Sequence, residues 1–547
     1  MKFLIPQKIR LYIKNSFSYR RITSFLTSNI LKFKLRKQLH INKLFIERKA
    51  SKKKILIPLI ETSHYQFYQI ALIAKALELR GAEVKFLVCD ETLPGCEIKS
   101  IRNTKKDPCL NCRINRKNTL PEFGLNTFSF SDVLSTKKIE SIQVLARDLS
   151  SNYPESYRYY ETDVIHIVND SVTRYFYGGV PEEPSYELDE IRYKYLVTVL
   201  TGFETAKEIY DTWCPDIVFG SMEVYADWAP YHNYFLSSGA ESCTLSMSQF
   251  NFKTLLMNQN DLYRSNKRYL TWLDNRNNSY LNQNEKQEIE DFVLKRFKGD
   301  SEDFKQYGYF DENNDAIQAL NIDKNKKNIF LFSNVYWDVG MSEFGELYDG
   351  VLEWVISTIH LIKESPDIHL YIKPHPSEKF DVRSSKGVID FIYSEFAELP
   401  TNVTIISPEM KILTYDLFKY IDAGIVYNGT LGLEMLFKNI PVVACGKTPY
   451  GGIDLVSEPQ TKDEYKNILL GKIDLRKPSR KSILQFAYFY FIKTLIPWNF
   501  TENAYGDDPF SGFKMKSLQN IMPNEDYHLD HICTTILNSD KKNMDIW

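Results

Sequence analysis

A strand-helix-strand repeat near the start of the chain constrains the fold more than any other feature. The stretch KKKILIPLIETSHYQFYQIALIAKALELRGAEVKFLVCD covers residues 52–90. It contains an apolar strand over 55–60, apolar residues at helical spacing over 68–79, and a second apolar strand over 84–89. A strand that returns to its own sheet through a helix forms a right-handed, parallel unit. The sequence therefore predicts an α/β fold.

The same alternation of strands and helices continues along the chain. Two further strands are predicted in the first half, and residues 150–212 are predicted to be largely helical. A polar stretch over 274–327 has few apolar residues and is typical of a helical linker. Because 547 residues are too many for one core, we expect two α/β domains. The later strands are predicted at 216–221, 242–247, 328–333, 368–375, 403–408, 423–428 and 441–446.

The first tenth of the chain is strongly basic. Residues 1–54 contain sixteen Lys or Arg and one acidic residue, Glu47. The mixture of Phe, Leu and Ile with these cations is typical of an amphipathic helix on anionic lipid, but it equally fits a solvated arm or a helix packed on its own domain. No apolar run is long enough to span a bilayer, and the start lacks the features of a signal peptide, so we expect a cytoplasmic protein. Nucleic-acid binding is not expected, because the remainder is acidic and carries no recognisable motif.

Polar residues follow several predicted strands of the second half. Ser333, Asn334, Trp337 and Asp338 come directly after the strand 328–333. Carboxyl ends of parallel strands meet at one edge of a sheet, where ligands bind in open α/β folds. The sequence therefore predicts a ligand site at this edge. Three further polar loops leave the same edge, at 373–378, 407–411 and 427–434.

Two of these loops suit a phosphate. In IVYNGTLGLEMLF (425–437) a strand runs through a short turn into a helix, whose first amides are unsatisfied donors. Gly429 permits close approach and Thr430 adds a hydroxyl. In YIKPHPSE (371–378), Lys373 and His375 stand at a strand end between restrictive prolines. The same residues also fit an ordinary helix start and a rigid surface turn.

These motifs resemble a known family. LFSNVYWD, YIKPHPSE, TKDEY and the stretch ISPEMKILTYDLFKYIDAGIVYNGTLGLEMLFKNIPVVACGKTPYGGIDL look like the donor-binding domain of capsule and surface-polysaccharide glycosyltransferases. These are bacterial GT-B enzymes of the capsule-synthesis type, related to Kdo transferases. RGAEVKFLVCDETLPGCE in the first half is also similar to members of that group. The resemblance covers about 55–130 and 328–470.

The resemblance implies a GT-B fold of two Rossmann-like domains facing a cleft. Together with the basic arm over 1–53 and the linker over 274–327, which composition predicts, it implies an acceptor domain over 54–273. A nucleotide-sugar-binding domain over 328–480 would follow, with C-terminal helices over 481–547 packing back on the first domain.

The resemblance also implies roles for the donor site. Lys373 and His375 would contact the donor phosphate, Glu434 would bind the ribose or fix its loop, and the segment 446–454 would close over the nucleotide or sugar. Relatives carry Ser where this chain has Gly429, so one hydroxyl donor is lost. GT-B enzymes generally need no metal, and no Asp-x-Asp motif stands out. The donor-binding residues implied in this way are Asn334, Lys373, His375, Asn428, Gly429, Thr430 and Glu434.

The catalytic base is expected from the first domain. An inverting transfer needs a general base, for which His64 is the first choice, beside Glu61 in the loop after the first strand. The loop after strand 216–221 offers Glu223 and Asp227, with His232 nearby; a retaining transfer would favour a carboxylate nucleophile from this loop.

Four cysteines within 24 residues form a separate cluster. Cys89, Cys96, Cys109 and Cys112 have the ligand type of a structural zinc site or an iron–sulfur cluster, although their gaps are not those of a standard finger. Ordinary reduced thiols remain an alternative, and a disulfide is disfavoured in the cytoplasm.

The sequence thus favours a metal-independent glycosyltransferase for surface polysaccharide or lipopolysaccharide. Its partners would be a CMP-, UDP- or GDP-sugar donor, a lipid-linked glycan acceptor and, at the periphery of the inner membrane face, anionic lipid. Two alternatives stay open: a nucleotide-sugar epimerase of similar fold, and a non-catalytic glycan- or nucleotide-binding component of a capsule export assembly.

Overall fold

The computed structural model describes most of the two predicted domains. It covers Lys32 and residues 53–60, 67–101, 107–248, 254–259, 265–300, 315–337, 347–380, 387–410, 412–500, 514–515 and 517–538. Apart from Lys32 and Lys53, the predicted basic arm lies outside these residues, as do Glu61, His64 and Asp338. Among the residues that the structure describes, no helix is both long and apolar enough to cross a bilayer.

Fourteen strands lie within the described ranges. They are β1 Lys54–Leu59, β2 Glu83–Val88, β3 Asn126–Ser129, β4 Arg158–Tyr159, β5 Thr162–Asp163, β6 Ile217–Gly220, β7 Glu241–Met247, β8 Thr254–Gln259, β9 Lys327–Phe332, β10 Ile368–Lys373, β11 Val403–Ile405, β12 Ala423–Val426, β13 Val442–Ala444 and β14 Leu495–Pro497. β4 and β5 form a small hairpin, and the other twelve strands build two sheets.

The described helices surround these sheets. They are α1 Phe67–Leu79, α2 Glu97–Ile101, α3 Leu110–Ile114, α4 Phe130–Val133, α5 Thr136–Ser151, α6 Val164–Phe176, α7 Tyr186–Trp213, α8 Ala229–Ser237, α9 Ser265–Asn275, α10 Gln283–Phe297, α11 Asp315–Gln318, α12 Val351–Ile362, α13 Ser377–Phe380, α14 Val388–Glu395, α15 Leu431–Leu436, α16 Lys462–Leu469, α17 Arg480–Tyr488 and α18 Tyr527–Leu537. Single π turns occur at Asn115–Thr119 and Phe489–Lys493, and 3-10 turns at Leu120–Phe123, Thr414–Tyr420 and Leu518–Ile521.

The two sheets share one topology. In the first, the parallel strands run in the order β3-β2-β1-β6-β7; in the second, the order is β11-β10-β9-β12-β13. Helices cover both faces, so strands such as β1 are apolar throughout, with Ile55, Leu56 and Ile57 fully buried. Chain order reverses between β1 and β6 and between β9 and β12. These two reversals are the places where such folds bind ligands.

The C-terminal segment returns to the first domain. After α17 packs in the core of the second domain, β14 pairs antiparallel with β8 at the edge of the first sheet, and α18 packs on α1. Arg80 next to α1 forms an ion pair with Asp530 of α18. The predicted fold class, two Rossmann-like domains with a C-terminal segment that crosses back, is thus confirmed for the part that the structure describes.

The predicted linker is part of the second core. Leu281, Ile289, Val293 and Ile317, all within 274–327, are buried in the same apolar cluster as Phe330 of β9. The polar composition of this stretch hid that packing, because α10 buries only a narrow stripe at i, i+4 spacing and exposes the rest.

Candidate functional site

Strand register brings three polar loops of the second domain to one edge. Phe332 at the end of β9 pairs with Lys373 of β10 on one side and with Val426 of β12 on the other. The residues that follow therefore leave the sheet side by side. With strands about 4.8 Å apart, His375 and Asn428 flank Asn334 over a span of about 10 Å. These loops lie at the β9/β12 reversal.

The turn 428–430 is held by hydrogen bonds from several directions. The Asn428 amide donates to Asn334 Oδ1 at 3.1 Å, and the Gly429 amide donates to Asn428 Oδ1 at 2.5 Å. The Tyr450 hydroxyl donates to the Gly429 carbonyl at 2.9 Å. Gly429 has a φ of +94°, which suits glycine. The expectation that these two amides stand open for a phosphate needs correction, because side-chain carbonyls already accept from them.

Glu434 lies beneath this turn and is 1% exposed. Its Oε1 accepts from the Thr430 hydroxyl at 3.0 Å and from Arg296 Nε at 3.0 Å, while Oε2 accepts from the Tyr415 hydroxyl at 2.7 Å. Both carboxylate oxygens are therefore engaged by protein groups. Of the two roles implied for Glu434, the geometry matches fixing the loop and not contact with a ribose. The Thr430 hydroxyl therefore donates its hydrogen bond to Glu434.

Lys373 carries a buried charge. It is 5% exposed, and within the described part of the chain its ammonium has no acceptor or carboxylate partner. Burial alone lowers the pKa of its ammonium to about 8. A cation of this kind is costly unless an anion accompanies it.

His375 and Glu378 lie on the loop that follows Lys373. His375 Nδ1 accepts from the Ser377 amide at 3.2 Å, so the neutral ring carries its proton on Nε2. Burial raises the pKa of the Glu378 carboxyl to about 7, although the Val388 amide donates to its Oε2 at 2.9 Å. The loop therefore holds a carboxyl group, that of Glu378, with a pKa of about 7.

The segment after β9 does not end as a ligand rim. The Tyr336 hydroxyl donates to the Gly178 carbonyl of the first domain at 2.7 Å, and Trp337 is 3% exposed. Gly178 has a φ of +83°, and a Cβ there would lie 2.0 Å from the Tyr336 oxygen. The prediction that Trp337 lines a site is thus corrected: Tyr336 and Trp337 bridge the two domains.

The first-domain candidates differ in their surroundings. Glu223 is half-buried, and the Thr244 hydroxyl donates to its Oε1 at 3.5 Å. Asp227 is 1% exposed and accepts from the Glu97 amide at 3.1 Å. His232 is buried with Nδ1 2.7 Å from the Ser242 hydroxyl, and burial lowers its pKa to about 4. Asp227 and His232 therefore have the surroundings of structural residues, and among the three candidates that the structure describes only Glu223 is not fully buried.

The four clustered cysteines are not assembled as a metal site. Cys96 is buried, and burial raises the pKa of the Cys89 thiol to about 11 and that of Cys109 above its ordinary value. Within the described ranges, no three His, Cys, Asp or Glu side chains are grouped so that they could hold a metal ion.

Sequence reasoning missed the groups that support the site from below. Arg296 lies 138 positions from Glu434, and no local pattern connects them. Tyr450, within a segment expected to close over the ligand, is fully buried under the turn, and Gly432 makes room for its hydroxyl. Gly432 within the helix Leu431–Leu436 is the sequence signal of such a close contact.

The comparisons with known proteins agree with the sequence resemblance. Residues 234–490 match the family model described as capsule polysaccharide biosynthesis protein. That range contains the whole second sheet, from β9 to β13, and starts within α8 of the first domain. Comparison with curated protein sequences found no match.

Several solved structures are similar to parts of this chain. Two KpsC structures from Thermosulfurimonas dismutans, a beta Kdo 2,4 transferase and a beta Kdo 2,7 transferase, are 15% and 13% identical and match 51% and 52% of this chain and 80% of their own, with TM-scores of 0.33 and 0.32. A putative UDP-N-acetylglucosamine 2-epimerase from Listeria monocytogenes is 9% identical over 90% of this chain and 98% of its own, with a TM-score of 0.24. TM-scores this low carry no argument about activity. The match over 234–490, which contains the β9/β12 site, makes this part of the chain similar to the capsule polysaccharide biosynthesis family.

Proposed function

We propose that this protein is a glycosyltransferase that moves a sugar from a nucleotide-sugar donor to a growing, lipid-linked surface polysaccharide. The donor binds at the β9/β12 reversal of the second domain, and the acceptor approaches from the first domain. The match of residues 234–490 to the capsule polysaccharide biosynthesis family supports a role in capsule synthesis. The chemistry of the donor site supports the transfer reaction.

The buried ammonium of Lys373 carries this proposal. A charge that is 5% exposed and lacks a partner among the described residues destabilises the protein, unless a ligand supplies the counter-charge. A donor phosphate would do so, and it would raise the Lys373 pKa towards its ordinary value. Negative charge grows on the phosphate as the sugar leaves, so a fixed cation there stabilises the transition state more than the ground state.

His375, two residues after Lys373, would also contact the donor phosphate. Because Nδ1 accepts from the Ser377 amide, the ring can donate from Nε2 to a phosphate oxygen. We propose that Lys373 and His375, and not a metal ion, supply the positive charge at the leaving group. Asn334, Asn428, Gly429 and Thr430 would shape the floor on which the donor lies.

Activation of the acceptor would fall to the first domain. Glu223 follows β6 at the β1/β6 reversal, and Glu61 and His64 come after β1 in the sequence. If the transfer inverts configuration, one of these three groups would remove the acceptor proton.

The basic segment 1–53 would hold the protein at anionic lipid on the inner membrane face. Deleting that segment should weaken sedimentation with anionic vesicles, and unchanged sedimentation would exclude the lipid role.

Thermal unfolding with nucleotide sugars tests the donor site directly. CMP-, UDP- and GDP-sugars should be compared, because a ligand that binds only the folded state raises the melting temperature. The stabilising donor should lose its effect on Lys373→Met. Lys327→Met is a matched control, since Lys327 is a half-buried lysine at the opposite end of β9 whose ammonium donates to the Leu469 carbonyl at 3.1 Å.

Incubation of the donor with and without acceptor separates the alternatives. A transferase consumes the donor sugar only when an acceptor glycan is present, apart from slow hydrolysis. An epimerase converts the donor alone. Binding without any turnover in either arm would favour a non-catalytic component, and absence of binding by all three donor classes would overturn the proposed function.

A further inference from the structure

A buried polar network connects the site to a helix outside the second α/β sheet. Arg296 on α10 and Glu434 on α15 are 4% and 1% exposed, and Arg296 Nη2 lies 2.8 Å from Glu434 Oε1. Tyr415 and Thr430 donate to the same carboxylate. An ion pair buried to this degree is often no more stabilising than apolar residues of the same shape. We therefore expect the Arg296–Glu434 pair to have a role other than stabilising the fold.

The network ends at the turn that forms the floor of the site. Glu434 accepts a hydrogen bond from the Thr430 hydroxyl. The Tyr450 hydroxyl donates to the Gly429 carbonyl, and the Asn334 side chain accepts from the Asn428 amide. Each group fixes a different atom of a three-residue turn. Without Arg296, the Glu434 carboxylate would be a buried, uncompensated charge and would leave its place below Thr430.

We propose that Arg296 and Glu434 are a positioning pair that fixes the turn 428–430 in its ligand-ready conformation without touching the ligand. Arg296 acts through Glu434, and Glu434 acts through Thr430. The role of the pair as a determinant of donor affinity rests on the proposed function. Its effect on the conformation of the turn does not.

Two variants test the pair without relying on a single risky substitution. Arg296→Leu combined with Glu434→Leu removes both charges together, so that no unpaired charge stays buried and the fold should be kept. Thr430→Val keeps the ion pair and removes only the hydroxyl that it holds. Arg276→Met is the matched control, because Arg276 pairs with Glu285 at 2.7 Å between α9 and α10 with no contact to the turn.

Amide hydrogen exchange of residues 428–429 in the ligand-free protein is the first measurement. We expect about tenfold faster exchange in the double variant and in Thr430→Val, and no change at these amides in Arg276→Met. The second measurement is donor binding and turnover. The KM for the donor should rise about tenfold with kcat nearly unchanged, and Arg296→Lys should recover part of the loss.

The outcomes separate the two claims. If the folded double variant exchanges at 428–429 as slowly as the unmodified protein, the positioning role is wrong. If exchange accelerates but no nucleotide sugar binds the unmodified protein, the positioning role stands and the proposed function fails. An equal effect of Arg276→Met on the turn would show general loosening of the domain and would also overturn the pair's specific role.

Discussion

The two sheets have the same strand order, but their ligand-binding edges differ in how polar groups are satisfied. At the β1/β6 edge, Asp227 and His232 are buried and hydrogen-bonded within the domain. At the β9/β12 edge, Lys373 is just as buried but has no partner among the described residues. Asp227 accepts a backbone hydrogen bond and His232 Nδ1 lies 2.7 Å from the Ser242 hydroxyl, whereas the Lys373 ammonium has no counter-charge among the described residues. Equal topology therefore does not give equal chemistry, and the edge proposed to bind the donor is the one with an unbalanced charge.

Removing the unbalanced charge should have the largest effect. Lys373→Met is expected to reduce transfer by about two to three orders of magnitude. It should also stabilise the ligand-free protein, since lowering an ammonium pKa from 10.5 to about 8 corresponds to a burial cost of about 3 kcal/mol at neutral pH. Activity assays and denaturant unfolding measure the two effects. If Lys373→Met lost stability and kept its activity, the claim that the β9/β12 edge differs from the β1/β6 edge by an unbalanced charge would be wrong.

The variant His375→Ala tests whether a second residue at the β9/β12 edge contributes to turnover. His375→Ala should lower kcat about a hundredfold with an unchanged circular dichroism spectrum, because the side chain is half-buried in a loop and not part of a core. His232→Ala is the comparison in the other domain. That residue is 2% exposed, so its loss should lower the melting temperature. Unaltered turnover in His375→Ala would contradict the assignment.

The pH dependence should separate the edges next. Donor affinity should fall about tenfold per pH unit above pH 8, as Lys373 loses its proton. For stability the sign is opposite: the folded pKa of about 8 lies below the unfolded value, so the unfolded state binds more protons and stability rises from pH 8 to about 10.5. Glu378, with a pKa of about 7, titrates below this window. Lys373→Met should abolish both slopes, and slopes that persist would assign them to another group.

The smallest effect is expected where the two domains touch. Gly178→Ala places a Cβ against Tyr336 and should weaken the bridge between the domains by about 1–3 kcal/mol. Gly239→Ala is the control, because its φ of +86° imposes similar backbone strain while nothing lies within 4 Å of the added carbon. Small-angle scattering should show expansion for Gly178→Ala only. If both variants behaved alike, the effect of Gly178→Ala would come from backbone strain and not from the lost contact with Tyr336.

The elements that repeat a local pattern could be predicted from the sequence. Apolar runs located β1, β2, β6, β7 and the five strands of the second sheet to within a few residues, and the polar residues after β9, β10 and β12 do share one edge. Contacts between distant residues could not be predicted. The hydrogen bond from Tyr336 to Gly178 spans 158 positions, and nothing in either local sequence specifies its partner. The strands β3, β8 and β14 were missed; β3 and β14 are only four and three residues long, too short for a clear apolar pattern.

The return of β14 to the first sheet has a practical consequence for shortened proteins. The family match ends at residue 490, whereas β14 begins at Leu495, so a chain cut at the family boundary would leave β8 as an unprotected sheet margin. Unpaired backbone groups along such a margin recruit strands from other molecules. A shortened protein would be expected to self-associate, and its loss of activity would then reflect aggregation and not the chemistry of the proposed donor site.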